Sequence, residues 1–399
     1  MSVWKECTIA DLGTVVGGAT PSTKDSANYD NGTIAWLTPK DLSGYQGRYI
    51  SCGERNITEK GLRSCSTQLM PRHTVLFSSR APIGYVAISE NELCTNQGFK
   101  SIIPNENTDY LFLYYLLKYN KDAIENMGSG TTFKEVSGNT MRGIRVRVPS
   151  DIETQRRIAG VLGSIDDKIE QNIAINNNLE QQIETMLLAL LDSTDSPKVC
   201  LGDYLYIKGR IGWKGLKKEE YLPSSNFRII NGESLTKKGI DWDKAGYISE
   251  ERYEESPEIM LQRGDILLSK DGTIGKIGYI DELSLPTSVA SGIFVIRNQK
   301  PKIISTTFIY YLLKSRLFMG FIAARTEGSV IPHLYQKDFM QFEFPLPEKT
   351  AMMIFESSTK PMFDSIIQNL RENERLAELR DSILTRLMSG DLDVSAVEV

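Results

Sequence analysis

The sequence has 399 residues, too many for one ordinary domain and enough for two with connecting elements. Its 41% hydrophobic and 24% charged residues suit a folded water-soluble chain, and the longest apolar runs, 111–117 and 186–191, fall far short of the roughly 20 residues a membrane helix needs. Five cysteines without a CxxC pair and only two histidines, His73 and His333, leave little for a zinc site or a serine-type triad, and the formal charge of −5 offers no bulk attraction to an acidic polymer.

The charge is unevenly placed. Residues 1–150 carry 16 basic and 14 acidic groups and residues 196–347 carry 21 and 18, whereas 152–191 and 348–393 are each −3. Two mildly basic segments therefore alternate with two acidic ones, which permits local contact with a polyanion without demanding it. In chain order, the stretch 71–88 (PRHTVLFSSRAPIGYVAI) predicts a hairpin, with Val75, Leu76 and Phe77 as a buried strand before a turn punctuated by proline and glycine. Residues 112–118 (FLYYLLK) predict a core helix, and Arg147, Val148 and Pro149 a strand ending just before a long helix. The series then returns. Residues 262–279 (QRGDILLSKDGTIGKIGY) lie on 71–88 at a constant offset of 191, pairing Ser78 with Ser269, and 308–314 (FIYYLLK) repeats 112–118. Pro345, Leu346 and Pro347 meet 147–149. The run 272–276 (GTIGK) is similar to a phosphate cradle, but its counterpart 81–85 (APIGY) lacks the first glycine and the lysine, so a hairpin turn is expected.

Positions 158, 162, 165, 169, 172, 176, 179, 183, 186 and 190 alternate four and three apart and read Ile, Leu, Ile, Ile, Asn, Asn, Leu, Ile, Met and Leu, the seam of a coiled coil. Adding 197 gives Phe355, Thr359, Met362, Ile366, Asn369, Asn373, Leu376, Arg380, Ile383 and Leu387. A seam amide is costly opposite leucine and satisfied opposite another amide, so antiparallel pairing sets Asn172 on Asn373 and Asn176 on Asn369. Thr359 and Arg380 lead to the expectation of looser contact near the ends. The predicted class is α+β: two mixed α/β domains in tandem repeat, 1–150 and 195–347, separated by two long antiparallel coiled-coil helices, 151–194 and 348–399.

Eight stretches in order carry a resemblance over essentially the whole chain: 17–24 (GGATPSTK), 36–42 (WLTPKDL), 76–84 (LFSSRAPIG), 96–100 (NQGFK), 155–159 (QRRIA), 208–215 (KGRIGWKG), 264–267 (GDIL) and 379–392 (LRDSILTRLMSGDL). Inside a two-fold repeat they resemble the specificity subunits of Type I restriction-modification systems. The resemblance implies a non-catalytic, cytoplasmic reader of a bipartite site in double-stranded DNA, with no membrane partner and two target recognition domains. Two methyltransferase subunits are then expected on its helices, with restriction/motor subunits joining for cleavage. S-adenosylmethionine, ATP and magnesium are expected on those partners and no cofactor on this chain. About 40 residues at ~1.5 Å each make a rod of ~60 Å, which puts the contacted sites about one to one and a half duplex turns apart. The chain lacks an Asn-Pro-Pro-aromatic tetrapeptide and a Walker A sequence, which disfavours an adenine methyltransferase or a fusion carrying one. The specificity subunit of a related Type II enzyme and a coiled-coil scaffold that does not bind DNA remain as alternatives.

In a bipartite reader, residues shared by the halves are structural and polar loop residues that differ carry the choice of sequence. Arg80 aligns with Asp271 and Ser79 with Lys270 at the hairpin tips, where arginine suits guanine, aspartate cytosine, and lysine guanine or phosphate. The alternative there is a solvated turn. The segment 208–218 (KGRIGWKGLKK) offers Lys208, Arg210, Trp213, Lys214, Lys217 and Lys218 as a phosphate anchor, against a flexible surface loop. Thr20, Ser22 and Lys24 occupy the corresponding place in the first half, with Lys40 beyond them. Thr131, Thr132 and Lys134, and opposite them Ser329 and His333, complete the candidate contacts. Arg142, Arg145 and Arg147 are read as an exposed strand face or partner contact, and His73, paired with Gly264, as structural.

Overall fold

The computed structural model describes residues 3–45, 47–80, 82–130, 134–211, 215–326 and 333–394. They fall into two compact units, Met1–Asn172 with Arg371–Val399, and Ile173–Leu370. Each unit therefore takes part of both long helices.

In the first unit, a five-stranded sheet runs in the spatial order Gly13–Gly17, Lys100–Pro104, Val75–Phe77, Val86–Ser89, Tyr49–Ile50. Its neighbours are antiparallel except the last pair. A three-stranded sheet, Arg55–Ile57, Ile34–Leu37, Cys94–Thr95, mixes one antiparallel and one parallel pairing. The second unit repeats both. Leu205–Gly209, Ile293–Asn298, Ile266–Ser269 and Ile277–Tyr279 form its four-stranded sheet, and Gly246–Ile248, Phe227–Ile230 and Thr287–Val289 its three-stranded one. Strands rich in β-branched and aromatic residues line both cores, and Val75, Leu76 and Phe77, like Leu267 and Leu268, are fully buried. Against the sheets lie helices Tyr110–Tyr119 and Thr306–Lys314, each started by a side chain that accepts the third N–H: Asp109 from Phe112 at 2.8 Å, and Ser305 from Phe308 at 3.0 Å.

The predicted hairpins are built alike. Val75 pairs with Ile88, and Ile266 with Tyr279. In the first turn the Ser78 hydroxyl donates to the Pro82 carbonyl (2.8 Å) and accepts from the Tyr85 N–H (2.8 Å); in the second, Ser269 donates to Thr273 (2.7 Å) and accepts from Lys276 (2.9 Å). Gly84 and Gly275 close these turns at φ +96° and +89°, backbone that side chains disfavour. The run 272–276 is thus a hairpin turn, and the Lys276 ammonium donates to the Gly232 carbonyl at 2.7 Å.

Helices Ile152–Asp192 and Lys349–Ser389 have 41 residues each. Within the first unit their segments run antiparallel: Asn172 Nδ2 donates to Asn373 Oδ1 at 2.9 Å and to Glu372 at 2.7 Å, and Leu384, Leu387 and Met388 share a core with Ile158, Ala159 and Leu162. Within the second unit, Asn369 Nδ2 donates to Asn176 Oδ1 at 2.8 Å, and Ile183, Leu187 and Leu191 pack with Met352, Phe355 and Phe363. The expected loosening at Thr359 and Arg380 does not occur. Thr359 is fully buried because its hydroxyl is satisfied by the Phe355 carbonyl of its own helix, at 2.8 Å. Arg380 is kept in the seam by Asp166, whose Oδ1 accepts from Nη1 at 2.7 Å while its Oδ2 accepts from the Tyr115 hydroxyl at 2.6 Å. Burial and this carboxylate push the Tyr115 phenol far above its ordinary pKa. The corresponding residues of the second unit, Phe363 and Ile183, are apolar, and the Tyr311 hydroxyl there has no hydrogen-bond partner among the described residues. One core position is filled by an ion pair in one unit and by hydrocarbon in the other.

Candidate nucleic-acid interface

The hairpin tip of the first unit is framed by backbone. Ser79 N–H donates to the Gly98 carbonyl at 2.7 Å, and the Val136 N–H donates to the Ser79 carbonyl at 2.9 Å, so the tip is flanked by the 96–100 turn and by the segment ending at Val136. Arg80 is bridged to Glu135, with 3.9 Å between guanidinium and carboxylate. The Lys100 ammonium reaches Glu135 at 3.4 Å and the Ser79 hydroxyl at 3.5 Å. Thr20 joins the same cluster through Gln97, at 2.5 Å.

The loop bearing Thr20 is pinned by its carbonyls: Trp36 Nε1 donates to Ala19 (3.0 Å), the Tyr29 hydroxyl to Pro21 (2.6 Å) and Asn28 to Ser22 (3.0 Å). Such fixing leaves the side chains of Thr20, Ser22 and Lys24 exposed. Gly18 is required, because a Cβ there would lie 2.1 Å from the Thr95 carbonyl oxygen.

The second unit repeats the frame. Lys270 N–H donates to the Gly292 carbonyl at 2.8 Å, the Leu334 N–H donates to the Lys270 carbonyl at 2.8 Å, and Asp271 is bridged to His333. His333 Nδ1 contacts Asp271 Oδ1, and the ring sits edge-on to Tyr335 with centroids 4.4 Å apart. The Lys270 ammonium lies 5.1 Å from the Phe294 ring centroid.

The structure thus brings Thr20, Ser79 and Arg80 together in one unit, and Lys270, Asp271 and His333 in the other. Ser79, however, is fully buried with its hydroxyl donating to the Gly98 carbonyl at 3.2 Å, so it belongs to the frame of the tip and is not a surface contact. Lys208, Lys217 and Lys218 are exposed, as is Lys134. Lys40 is exposed but paired with Glu54 at 2.8 Å. Arg210 is different: at 2% exposure it points inward, donating to the Val289 carbonyl (3.1 Å) and to the Ser288 (3.3 Å) and Ser256 (3.5 Å) hydroxyls. Burial, and then the charge of Arg252, lower its pKa. This arginine packs the second unit and offers nothing to a surface ligand, since its guanidinium is spent on the strand that carries Val289. Thr131, Thr132, Trp213, Lys214 and Ser329 lie outside the described residues. Sequence reasoning missed Gln97, Lys100 and Glu135. Glu135 was findable, because it aligns with His333 at an offset of 198. His73 adopts φ +68°, where its repeat partner Gly264 has φ +92°, and stacks on Tyr110 at 4.0 Å. Arg145 and Arg147 face outward on strand Arg145–Pro149, and Arg147 lies over the Trp4 ring.

A sequence profile of the Type I restriction modification DNA specificity domain matches residues 1–184 and 196–352. The chain belongs to the Type I restriction-modification specificity subunits. This specificity subunit is 32% identical to the Type I restriction enzyme MjaIX specificity subunit of Methanocaldococcus jannaschii, over 98% of this chain and 94% of that one. It is 22% identical to the HindI specificity subunit of Haemophilus influenzae, over 98% and 100%. Its fold matches a crystal structure of the Type I system S subunit from M. genitalium with a TM-score of 0.59, at 18% identity over 97% of this chain and 96% of that one. The specificity subunit accordingly holds two recognition domains in tandem. Among the described residues, no group of three or more His, Cys, Asp or Glu side chains could hold a metal ion, and no helix is long and apolar enough to cross a membrane.

Proposed function

We propose that the subunit reads a two-part site in double-stranded DNA, one part with each unit, and that the hairpin tips make the base contacts. One observation carries this reading: the same tip is built twice on the same backbone hydrogen bonds, yet its partly exposed side chains differ, Arg80 and Glu135 in one unit against Asp271 and His333 in the other. A frame held constant while the donors and acceptors change is what direct readout of two different half-sites requires. Exposed Thr20, Ser22, Lys24 and Lys134 in the first unit, and Lys208, Lys217 and Lys218 in the second, supply phosphate contacts that fix position without choosing sequence. Two methyltransferase subunits dock on the helices, restriction/motor subunits join for cleavage, and S-adenosylmethionine, ATP and magnesium belong to those partners.

The test is base-resolution methylome sequencing of a methylation-free host that expresses this chain with its neighbouring methyltransferase gene, beside a host with the methyltransferase alone. N6-methyladenine in a two-part motif with a fixed gap, absent from the control, is the expected result. An active partner that gains no motif from this chain overturns the reading.

A further inference from the structure

The two tips carry the same kind of pair with its polarity reversed. In the first unit the hairpin contributes the cation, Arg80, and the returning segment the anion, Glu135; in the second the hairpin contributes the anion, Asp271, and the returning segment the imidazole, His333. All four side chains are between 35% and 41% exposed, so each pair stands at the surface without being freely solvated. The second pair is also directional. A carboxylate only accepts, so its contact with Nδ1 requires a proton on that nitrogen. In the neutral ring this leaves Nε2 as an acceptor, and Tyr335, edge-on to the ring, limits its rotation.

We infer that His333 is a base-reading residue of the second unit and Asp271 its positioning residue, holding the ring so that Nε2 accepts a hydrogen bond from an exocyclic amino group of a base. This inference rests on the reading of the tips given above. The amino groups offered in the major groove are adenine N6 and cytosine N4. The first unit does the opposite: the Arg80 guanidinium, steered by Glu135, only donates and suits the N7 and O6 acceptors of guanine. Polarity reversal at one position of the fold therefore gives the two units opposite hydrogen-bonding demands.

The experiment uses the full chain assembled with its methyltransferase subunits, on duplexes carrying the motif that methylome sequencing defines. Each adenine of the second half-site is replaced in turn by purine, which lacks the N6 amino group, and each cytosine by pyrimidin-2-one, which lacks the N4 amino group; affinities are measured by competition. One replacement is expected to weaken the unsubstituted protein roughly 5- to 150-fold. The same replacement is expected to leave His333→Ala unchanged, and to weaken Asp271→Ala by much less. Combining the two substitutions should add nothing to His333→Ala alone. Base changes in the first half-site must keep their full effect in these variants, which shows that they are folded. A purely structural role would instead weaken binding equally for every base of the second half-site, and that result overturns the inference. So does an amino-group penalty that survives in His333→Ala. If no two-part motif is methylated at all, the proposed function falls first and the inference with it.

Discussion

Replacing Arg380 by isoleucine tests how the two helices are matched within the first unit. The substitution leaves Asp166, whose side chain is 7% exposed, with the Tyr115 hydroxyl as its remaining bond. Breaking a buried pair by removing one partner costs about 3–5 kcal/mol, because a desolvated charge is left behind. Lys118 is half-buried close by, and burial and then the charge of Arg380 lower its pKa. Removing Arg380 lets this ammonium compensate in part, so the expected cost is the lower figure, about 3 kcal/mol. The double replacement Asp166→Phe with Arg380→Ile installs the residues that the second unit holds at the same positions, Phe363 and Ile183. It leaves only the Tyr115 hydroxyl unpaired, a cost of about 1–2 kcal/mol. The double variant is therefore expected to be more stable than Arg380→Ile alone. Hydrogen exchange resolved over 152–172 and 371–389 is the suitable assay, because a chain of two units does not unfold in one step. Arg380→Ile should speed exchange there roughly 150-fold, and the double variant by about tenfold. Costs that simply add in the double variant would refute the argument.

Asp151 caps the central helix by accepting the Thr154 N–H at 2.7 Å, and that bond holds its carboxyl below the ordinary carboxylate range. Its contribution is present above the unfolded value and fades as pH falls through the depressed one; Asp151→Ala should cost about 1 kcal/mol and abolish this acid dependence of exchange in the first helical turn. Asn176→Leu orphans the Asn369 amide and should destabilise the second unit by about 1–3 kcal/mol. Adding Asn369→Leu should recover stability, and cross-linking of cysteines introduced along the two helices should then report a mixture of registers. Replacing Lys208, Lys217 and Lys218 by alanine should weaken binding to every duplex alike and flatten the salt dependence, in a log–log titration, by up to about 0.9 for each phosphate that is no longer neutralised. An unchanged slope would remove these lysines from the interface.

The repeat and the seam could be read from the chain because both are periodic: Ser78 and Ser269 recur in matched hairpins, and the four asparagines fall at the same two steps of the two helices. What escaped were positions where a polar side chain is satisfied by a distant residue. Arg380 breaks the apolar pattern of its helix, and nothing near it in the sequence announces Asp166, 214 residues away. Arg210 has the composition of a phosphate anchor, and only the folded three-stranded sheet reveals that the Val289 carbonyl has claimed it. The tip cluster was half legible. Arg80 and Asp271 stood out by differing between the repeats, whereas Glu135 and Lys100 enter the cluster by folding back onto the hairpin.

The serine-centred turns carry a consequence for how such a protein changes over generations. In each unit the shape of the tip is fixed by a hydroxyl, a glycine and main-chain hydrogen bonds. The residues at 80, 135, 271 and 333 stand outside that frame, where substitutions usually shift stability by no more than about 0.5 kcal/mol. If the tips read bases as proposed, mutations there change the DNA address while folding proceeds as before. On that reading recognition drifts in single steps, with the scaffold passed on intact.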